Sequence, residues 1–488
     1  MNKTSTNNQR LPLVVEIPNP PAAPQAFEAF KDRPFSFFLD SGMDPQRLGR
    51  YSFMGSDPFL IMKSRDREIT LIRPEGTEVV SGNPFDVLGE LLREYKIEGN
   101  HSKLPFLGGA VGYLSYDLGH FIEKLPSHAV DDLQFPECYF GFYDAMVAFD
   151  NLENRTYIVS TGFPETTNKR QSKAEARLEE MKRNLARAPR LEEDRASYFG
   201  NTSSTQVNLH ANFTHEDYLK SVQKAREYII AGDIFQVNLS QRFEADMPIP
   251  SYELYHRLRK INPAPFASYL NFDGITVVSA SPERFLKLQG DMVETRPIKG
   301  TRPRGKDPMK DEALAQELVD SFKDKAEHVM IVDLERNDIG RVCRFGTVRV
   351  SELMALEKYA TVFHLTSTVK GQLRSGKNAI DLLKATFPGG SISGAPKVRA
   401  MEIIDELEPT RRSVYTGSIG YLSFDGNLDL SIVIRTILVK GKKAYFQVGG
   451  AVVYDSDPEA EYIETLDKAR ALIQALSMVP QMVTEAAR

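Results

Sequence analysis

The chain is poor in the residues that mark several common functional classes. It has two cysteines in 488 residues. Cys138 and Cys343 lie far apart without metal-type spacing; they could pair in principle, but a reduced, cytoplasmic setting is the simpler expectation. No apolar run approaches the ~18 residues needed to span a bilayer. The N-terminal stretch MNKTSTNNQRLPLVVEIPNP has no apolar segment of the signal-peptide type. Charge of one sign is also missing: 61 basic and 66 acidic residues leave a formal charge of -5, with no global bias toward nucleic acid or an anionic membrane. There is no GxSxG elbow and no HExxH, so serine-hydrolase and zinc-protease chemistry lack support. No fixed-period repeat is evident.

What remains is the composition of a soluble globular protein, 41% hydrophobic and 26% charged, too long for one ordinary domain. Residues 1–25 are polar and proline-rich, and only partial order is expected. From 26 to 163 short aromatic and β-branched runs alternate with turn signals (FSFFLDSG, GRYSFMG, EITLI, CYFGFYDAMVAFD), which predicts a largely antiparallel sheet. A helix is predicted over Phe85–Tyr95. Residues 164–212 turn charged and turn-rich, placing a helix-and-linker boundary there. From 213 to 476 strands and occasional helices alternate, and 477–488 form a tail. Thr214 with Asp217 suggests a capping box at the start of a helix that Gly232 ends. One long helix is expected from Asp311 to about Asp333, and a last one from Pro458 to about Leu476. Consecutive strands with occasional helices make the fold class α+β.

Four features bear on chemistry. Lys299, in ETRPIKGTRPRG, sits between Pro297 and Gly300, where a helix cannot continue. A lysine becomes a neutral nucleophile when burial or nearby cations lower its pKa. Arg296, Arg302 and Arg304 could supply such cations or hold an anion, and the bland alternative is a basic surface turn. Asp324 with Glu327, and Glu461 with Glu464, are each spaced i, i+3, so each pair shares a helix face. Two such pairs face to face would offer oxygen ligands to magnesium; the alternative is that they serve the helix dipole. FPGGSISGAPK (387–397) has phosphate-loop glycine spacing but Ala395-Pro396-Lys397 where Lys-Ser/Thr is required, so it is rejected as a nucleotide loop and kept as an anion site. QVGGAVVYDS (447–456) places paired glycines in a strand, a sign of a bulge or close backbone approach whose amides could grip a carboxylate. Glu283, in SASPERF just past a strand, is a candidate general acid if its surroundings raise its pKa.

In this order, the runs ETRPIKGTRPRG, AEHVMIVDLERNDIGRV, FPGGSISGAPKVRAMEIIDELE, VYTGSIGYLSFDG, IVIRTI and DSDPEAEYIETLDKA resemble the chorismate-utilising enzymes. These are anthranilate synthase component I, aminodeoxychorismate synthase component I, and the isochorismate and salicylate synthases. The resemblance covers about 213–472, with LDSG and GRYSFMG extending it to the N-terminal part. It implies an anthranilate synthase component I-like fold, antiparallel sheets with helices outside.

Anthranilate synthases carry PIAGT where this chain has PIKGT, the aminodeoxychorismate synthase form. The resemblance therefore implies amination of chorismate to 4-amino-4-deoxychorismate, toward p-aminobenzoate and folate. Lys299 would be the nucleophile, Glu283 the acid, and His364 a residue near the ring. Thr301, Ser391, Tyr415, Arg435, Gly449, Gly450, Ala451 and Lys468 would bind substrate. Magnesium would sit near Glu327 and Glu464, with Glu461 and Asp324 in the outer shell.

The chain departs from the family at Asp324 for glutamate, Ser391 for threonine and GGA for GAG at 449–451. Ser41, Arg50, Ser52 and Pro265 match a tryptophan pocket, with regulation, space-filling or absence of tryptophan all left open. Neither cysteine has a glutaminase context, so ammonia would come from solution or from a separate glutamine amidotransferase subunit. Three rivals remain: an anthranilate synthase, an isochorismate-type synthase, and a silent tryptophan-sensing subunit.

Overall fold

The structure, a computed structural model, describes residues 12–480 apart from 100–102, 167, 190–201, 205–206, 248 and 360–361. Two twelve-stranded sheets dominate it, with a two-stranded ribbon joining Thr202–Ser204 to Met478–Pro480. All pairings between the named strands that follow are antiparallel, and helices pack on the sheets, as the α+β expectation requires.

The alternation of side chains along the strands explains the layering. Phe37, Phe53, Leu270 and Val277 point into one core, shared with Met62, Tyr113, Phe140 and Leu430 of the other sheet. Their neighbours Phe38, Met54, Tyr269 and Val278 point the opposite way, into a second core. That core is closed by Leu178, Met181, Tyr255, Leu258, Ala469 and Leu472 of the helices Lys169–Ala186, Ser251–Ile261 and Pro458–Ser477. Strands covered on both faces must be apolar at successive positions, which is why runs such as AMVAFD lack a polar face.

The predicted boundary at 164–212 divides the sequence but not the sheets. Strand Ser36–Asp40 pairs with Phe266–Phe272 in one sheet, and Gly109–Leu114 pairs with Ser418–Ser423 in the other. Residues 26–163 and 213–476 are thus stitched together by backbone hydrogen bonds. The part of 164–212 around 190–201, the N-terminal residues 1–11 and the tail beyond 480 lie outside the described residues.

Local capping accounts for the helix boundaries. Pro84–Glu94 is the expected helix near Phe85, capped by Asn83. The helix His215–Ile230 starts with Thr214 Oγ1 accepting the Asp217 amide. The box is only half formed, because the Asp217 carboxylate takes the Thr214 hydroxyl, 2.7 Å away, instead of its backbone N–H. The long helix expected from Asp311 is two helices, Pro308–Asp320 and Phe322–Gly340. Ser321 breaks it: its backbone is extended (φ -60°, ψ 111°) and its hydroxyl caps the second helix at Asp324 N. Among the described residues no helix is long and apolar enough to cross a membrane.

Candidate active site

Strands Met292–Arg296 and Ile298–Pro303 run in succession along one side of Val362–Gln372. Arg284–Gln289 flanks the first of them, its pairing ending at Arg284–Arg296. Beyond that point the strand pairing stops. Glu283 and Lys299 lie just past its end and feel each other's charge.

The register slips between Lys299 and Thr301, with Gly300 in the left-handed region at φ 76°. Such a bulge re-aims the side chain beside it. A Cβ on Gly300 would fall 2.8 Å from Leu318 Cδ1 and 3.2 Å from Asp324 Oδ1. The backbone angle therefore favours glycine, and a side chain would fit only if Leu318 and Asp324 shifted. Gly300→Ala is expected to lose about 1–2 kcal/mol of stability from the left-handed backbone alone, measured as an earlier midpoint in denaturant unfolding.

Lys299 is no surface turn. It is enclosed by protein with partial solvent contact, and burial pushes its amine below the ordinary lysine range. Glu327 on the helix Phe322–Gly340 pulls the other way most strongly, then Glu283 and, on the helix Pro458–Ser477, Glu464; Lys468 adds to the lowering. The three neighbouring arginines do not act as expected. Arg296 is bound to Glu357 and Glu352, Arg302 to Glu317 and Asp324, and Arg304 to Asp311. Each is neutralised by its own carboxylates, so the cation that acts on Lys299 is Lys468.

Burial pushes the Glu283 carboxyl up to about 7, against Ser391, Lys299 and the Ile298 amide, which favour the charged form. Ser391 Oγ is buried and has no hydrogen-bond partner of ordinary length. His364 faces the same strand, its Nδ1 2.9 Å from Thr301 Oγ1. Burial and then the Arg435 charge hold it down at about 4, so the imidazole is neutral near pH 7.

The acidic pairs lie on two helices that both reach Lys299. Asp324 has turned to Arg302, 3.1 Å away, and Glu464 is held by Lys468 at 2.5 Å. Glu461 gives one oxygen to Ser456 at 2.6 Å, while its other oxygen is buried without a partner. Gly450 makes room for them, since a Cβ there would lie 2.9 Å from Glu461 Oε2 and 3.4 Å from Glu464 Oε1. Burial raises Glu327 and Glu461, and the charge of Glu464 raises both further. The described residues contain no ready group of three metal-ligating side chains. Carboxylates that repel one another, with one orphaned oxygen, nevertheless fit a hard cation that takes few protein ligands and completes its shell with substrate oxygens and water.

The remaining candidates converge on the same region. Strand Lys443–Val452 pairs continuously with Gln236–Asp246, so the glycine pair makes no bulge but does make a close approach: a Cβ on Gly449 would sit 2.5 Å from Leu239 O. On its other edge the pairing with Thr436–Lys440 stops at Phe446. Past that residue alternate amides of the segment holding Gly449, Gly450 and Ala451 face an edge without a strand. Lys468 Nζ reaches Gly449 O at 2.7 Å, and Arg435, at φ 52°, hydrogen-bonds Lys468 O. A non-glycine residue held in that region stores strain, as functional sites often do. Tyr415 lies between the charges of Arg412 and Arg435, its hydroxyl pushed up by burial.

Sequence reasoning passed over Arg412 and Glu408. Arg412 binds Glu408 at 2.7 Å and Ile392 O at 2.9 Å, and its guanidinium lies 5.9 Å from the Tyr415 ring centre, so it holds both Tyr415 and the 387–397 loop. Their i, i+4 spacing was the available signal. That loop is glycine-rich for packing: a Cβ on Gly390 would meet Leu334 Cδ2 at 2.7 Å.

A separate cavity of about 300 Å³ is lined by Ser41, Arg50 and Pro265 together with Leu39, Tyr51 and Phe53, and by none of Lys299, Glu283 or His364. Ser52 does not line it. Its Oγ accepts from Ser41 N and from Asn151, each at 3.1 Å, so Ser52 supports the wall from behind. Arg50 is fixed by Asp150 at 2.8 Å.

The family model described as "chorismate binding enzyme" matches residues 33–474. The chain is 41% identical to aminodeoxychorismate synthase component 1 of Bacillus subtilis, covering 89% of this chain and 91% of that protein. It is also 41% identical to anthranilate synthase component 1 of Acetivibrio thermocellus (96% and 95%) and 43% identical to that of Thermus thermophilus (91% and 93%). Among solved structures, anthranilate synthase component I of Streptococcus pneumoniae superposes with a TM-score of 0.75 at 34% identity, over 87% of this chain and 92% of that one. The menaquinone-specific isochorismate synthase of Escherichia coli shares the fold at a TM-score of 0.70 and 18% identity, over 95% and 94%.

Proposed function

The chain belongs to the chorismate-binding enzyme family, and we propose that within it this protein aminates chorismate to 4-amino-4-deoxychorismate. Overall identity does not choose between the aminodeoxychorismate and anthranilate types, because relatives of both kinds stand at about 41%. Lys299 is the observation on which the choice rests: an amine lowered by burial, set on a bulge between Glu283 and the two acidic helices.

In this scheme neutral Lys299 adds through nitrogen to ring carbon 2. The 4-hydroxyl departs as water with the proton of Glu283. Ammonia then bonds to carbon 4, and the electron pair of the carbon 2–nitrogen bond returns to Lys299. The extra proton on the new amine goes back to Glu283, so both groups end as they began. Splitting one substitution into two steps lowers each barrier. Arg435, Tyr415 and the open amides near Gly449–Ala451 orient the carboxylates, and Ser391, Thr301 and neutral His364 surround the ring. A magnesium ion held by Glu327 and Glu464, with Glu461 and Asp324 behind them, would supply positive charge opposite a ring carboxylate.

Ammonia needs an outside source. Both cysteines are buried, and burial pushes their thiols up, that of Cys343 to about 11. Neither is a thiolate nucleophile for glutamine hydrolysis, so a separate glutamine amidotransferase subunit is the proposed partner. The 300 Å³ cavity is proposed to accept tryptophan or an amino acid of that size.

The test is to incubate the protein with chorismate, magnesium and ammonium and weigh the product. An amino-substituted compound that keeps its enolpyruvyl ether is expected. Released pyruvate with fluorescent anthranilate would mean the anthranilate type, and turnover indifferent to ammonium an isochorismate type. Chelating divalent cations is expected to stop turnover and added magnesium to restore it; undiminished turnover in chelator would remove the metal from the scheme.

A further inference from the structure

Glu335 is a buried acid that the scheme above does not use. It lies on the helix Phe322–Gly340, two turns beyond Glu327, and is only 7% exposed. Among the described residues it forms no ion pair. Lys397, whose charge reaches it, is committed to Asp338 and to Thr386 O.

Its hydrogen bonding fixes where a proton must be. Thr295 Oγ1 lies 2.7 Å from Glu335 Oε2 and 2.8 Å from the Phe285 carbonyl oxygen. A threonine hydroxyl has one hydrogen, and a carbonyl can only accept. If Thr295 donates to Phe285, an ionised Glu335 would press a second acceptor against it at hydrogen-bond distance. If Thr295 donates to Glu335, the buried Phe285 carbonyl meets a lone pair instead. A protonated Glu335 satisfies both contacts: it donates to Thr295, which donates to Phe285. Both distances are ordinary for O–H···O bonds.

We propose that Glu335 is held as a neutral carboxylic acid and acts as a positioning residue, its proton completing a Glu335–Thr295–Phe285 chain that sets Glu283 against Lys299. Phe285 follows Glu283 by two residues, Thr295 precedes Lys299 by four, and Glu335 shares a helix with Glu327. Two hydrogen bonds thus join the helix that carries a candidate ligand to the strand that follows Glu283 and to the strand that precedes Lys299. They do so where the ladder between Arg284–Gln289 and Met292–Arg296 slips out of register, between Arg284 and Lys287, and the side chains there replace missing backbone bonds. Burial holds the Glu335 carboxyl well above the usual range, with Glu283 and Asp338 adding to it and Thr295 and Lys397 opposing.

The positioning role rests on the function proposed above; the protonation state does not, and the two are tested separately. Infrared spectra of the full chain with labelled glutamate are expected to show a carboxylic C=O band at neutral pH that Glu335→Gln removes. A wild-type spectrum in which no band depends on Glu335 would overturn the proposal, whatever the enzyme catalyses. In Glu335→Gln the amide N–H still donates to Thr295, so kcat and its pH profile should stay within about twofold. Glu335→Leu, matched in size but without a donor, should lose about tenfold or more in kcat at unchanged KM. A high-pH limb that moves to lower pH in Glu335→Gln would mean that a negative charge beside Glu283 had been removed, and Glu335 is then ionised.

Discussion

Replacing Lys299 by alanine is expected to lower ammonia-dependent turnover on the order of 10³-fold or more, a loss of about 4 kcal/mol of barrier lowering, while chorismate still binds. A nucleophile acts after binding, so its removal falls on kcat, and KM should change little. Lys299→Arg separates nucleophile from charge. It keeps a cation opposite Glu327 and Glu464, yet a guanidinium does not become neutral in a protein and cannot attack. Both variants should be equally dead if the amine bonds to the ring. An arginine variant retaining a tenth or more of the activity would leave Lys299 an electrostatic role only. Trapping the wild-type protein after mixing with chorismate, without ammonia, should yield a chain heavier by chorismate less one water; the alanine variant should yield none.

Lys299 and Glu283 stand out in the sequence as candidates because the chemistry proposed for them depends on residue type within short runs. Pro297 and Gly300 announce an irregular backbone around the lysine, and the bulge is its physical form. The acidic pairs were legible for a similar reason, i, i+3 spacing being a local property. What escaped was settled by distant partners. Arg296, Arg302 and Arg304 read as free cations because the carboxylates that neutralise them arrive from other elements. The helix break at Ser321 escaped because a serine cap resembles a serine inside a helix until its φ and ψ are known. Ser52 sits one strand position from Tyr51, which does line the cavity, and alternation turns it away. The joining of both chain halves into each sheet leaves no local mark, since Ser36–Asp40 would read the same beside any apolar strand.

Glu283→Gln should cost about 10²–10⁴-fold in turnover, the range for loss of a general acid, and should also change the shape of the pH profile. In the folded protein Glu283 is raised to about 7 from its ordinary 4.5. Its proton is therefore present below that pH and lost above it, and this loss is expected to give kcat/KM in the wild type its alkaline limb. Lys299 must be neutral, so activity should also fall toward acid, and the two requirements together give a bell. The glutamine variant cannot ionise. Its residual activity should keep the acid limb and lose the alkaline one, rising with pH to a plateau as Lys299 deprotonates. Glu327, Glu461 and Glu335 are raised as well and are other candidates for the alkaline limb. If that limb survives in Glu283→Gln, one of those carboxyls is responsible, and the acid that releases the 4-hydroxyl has to be sought on the two helices.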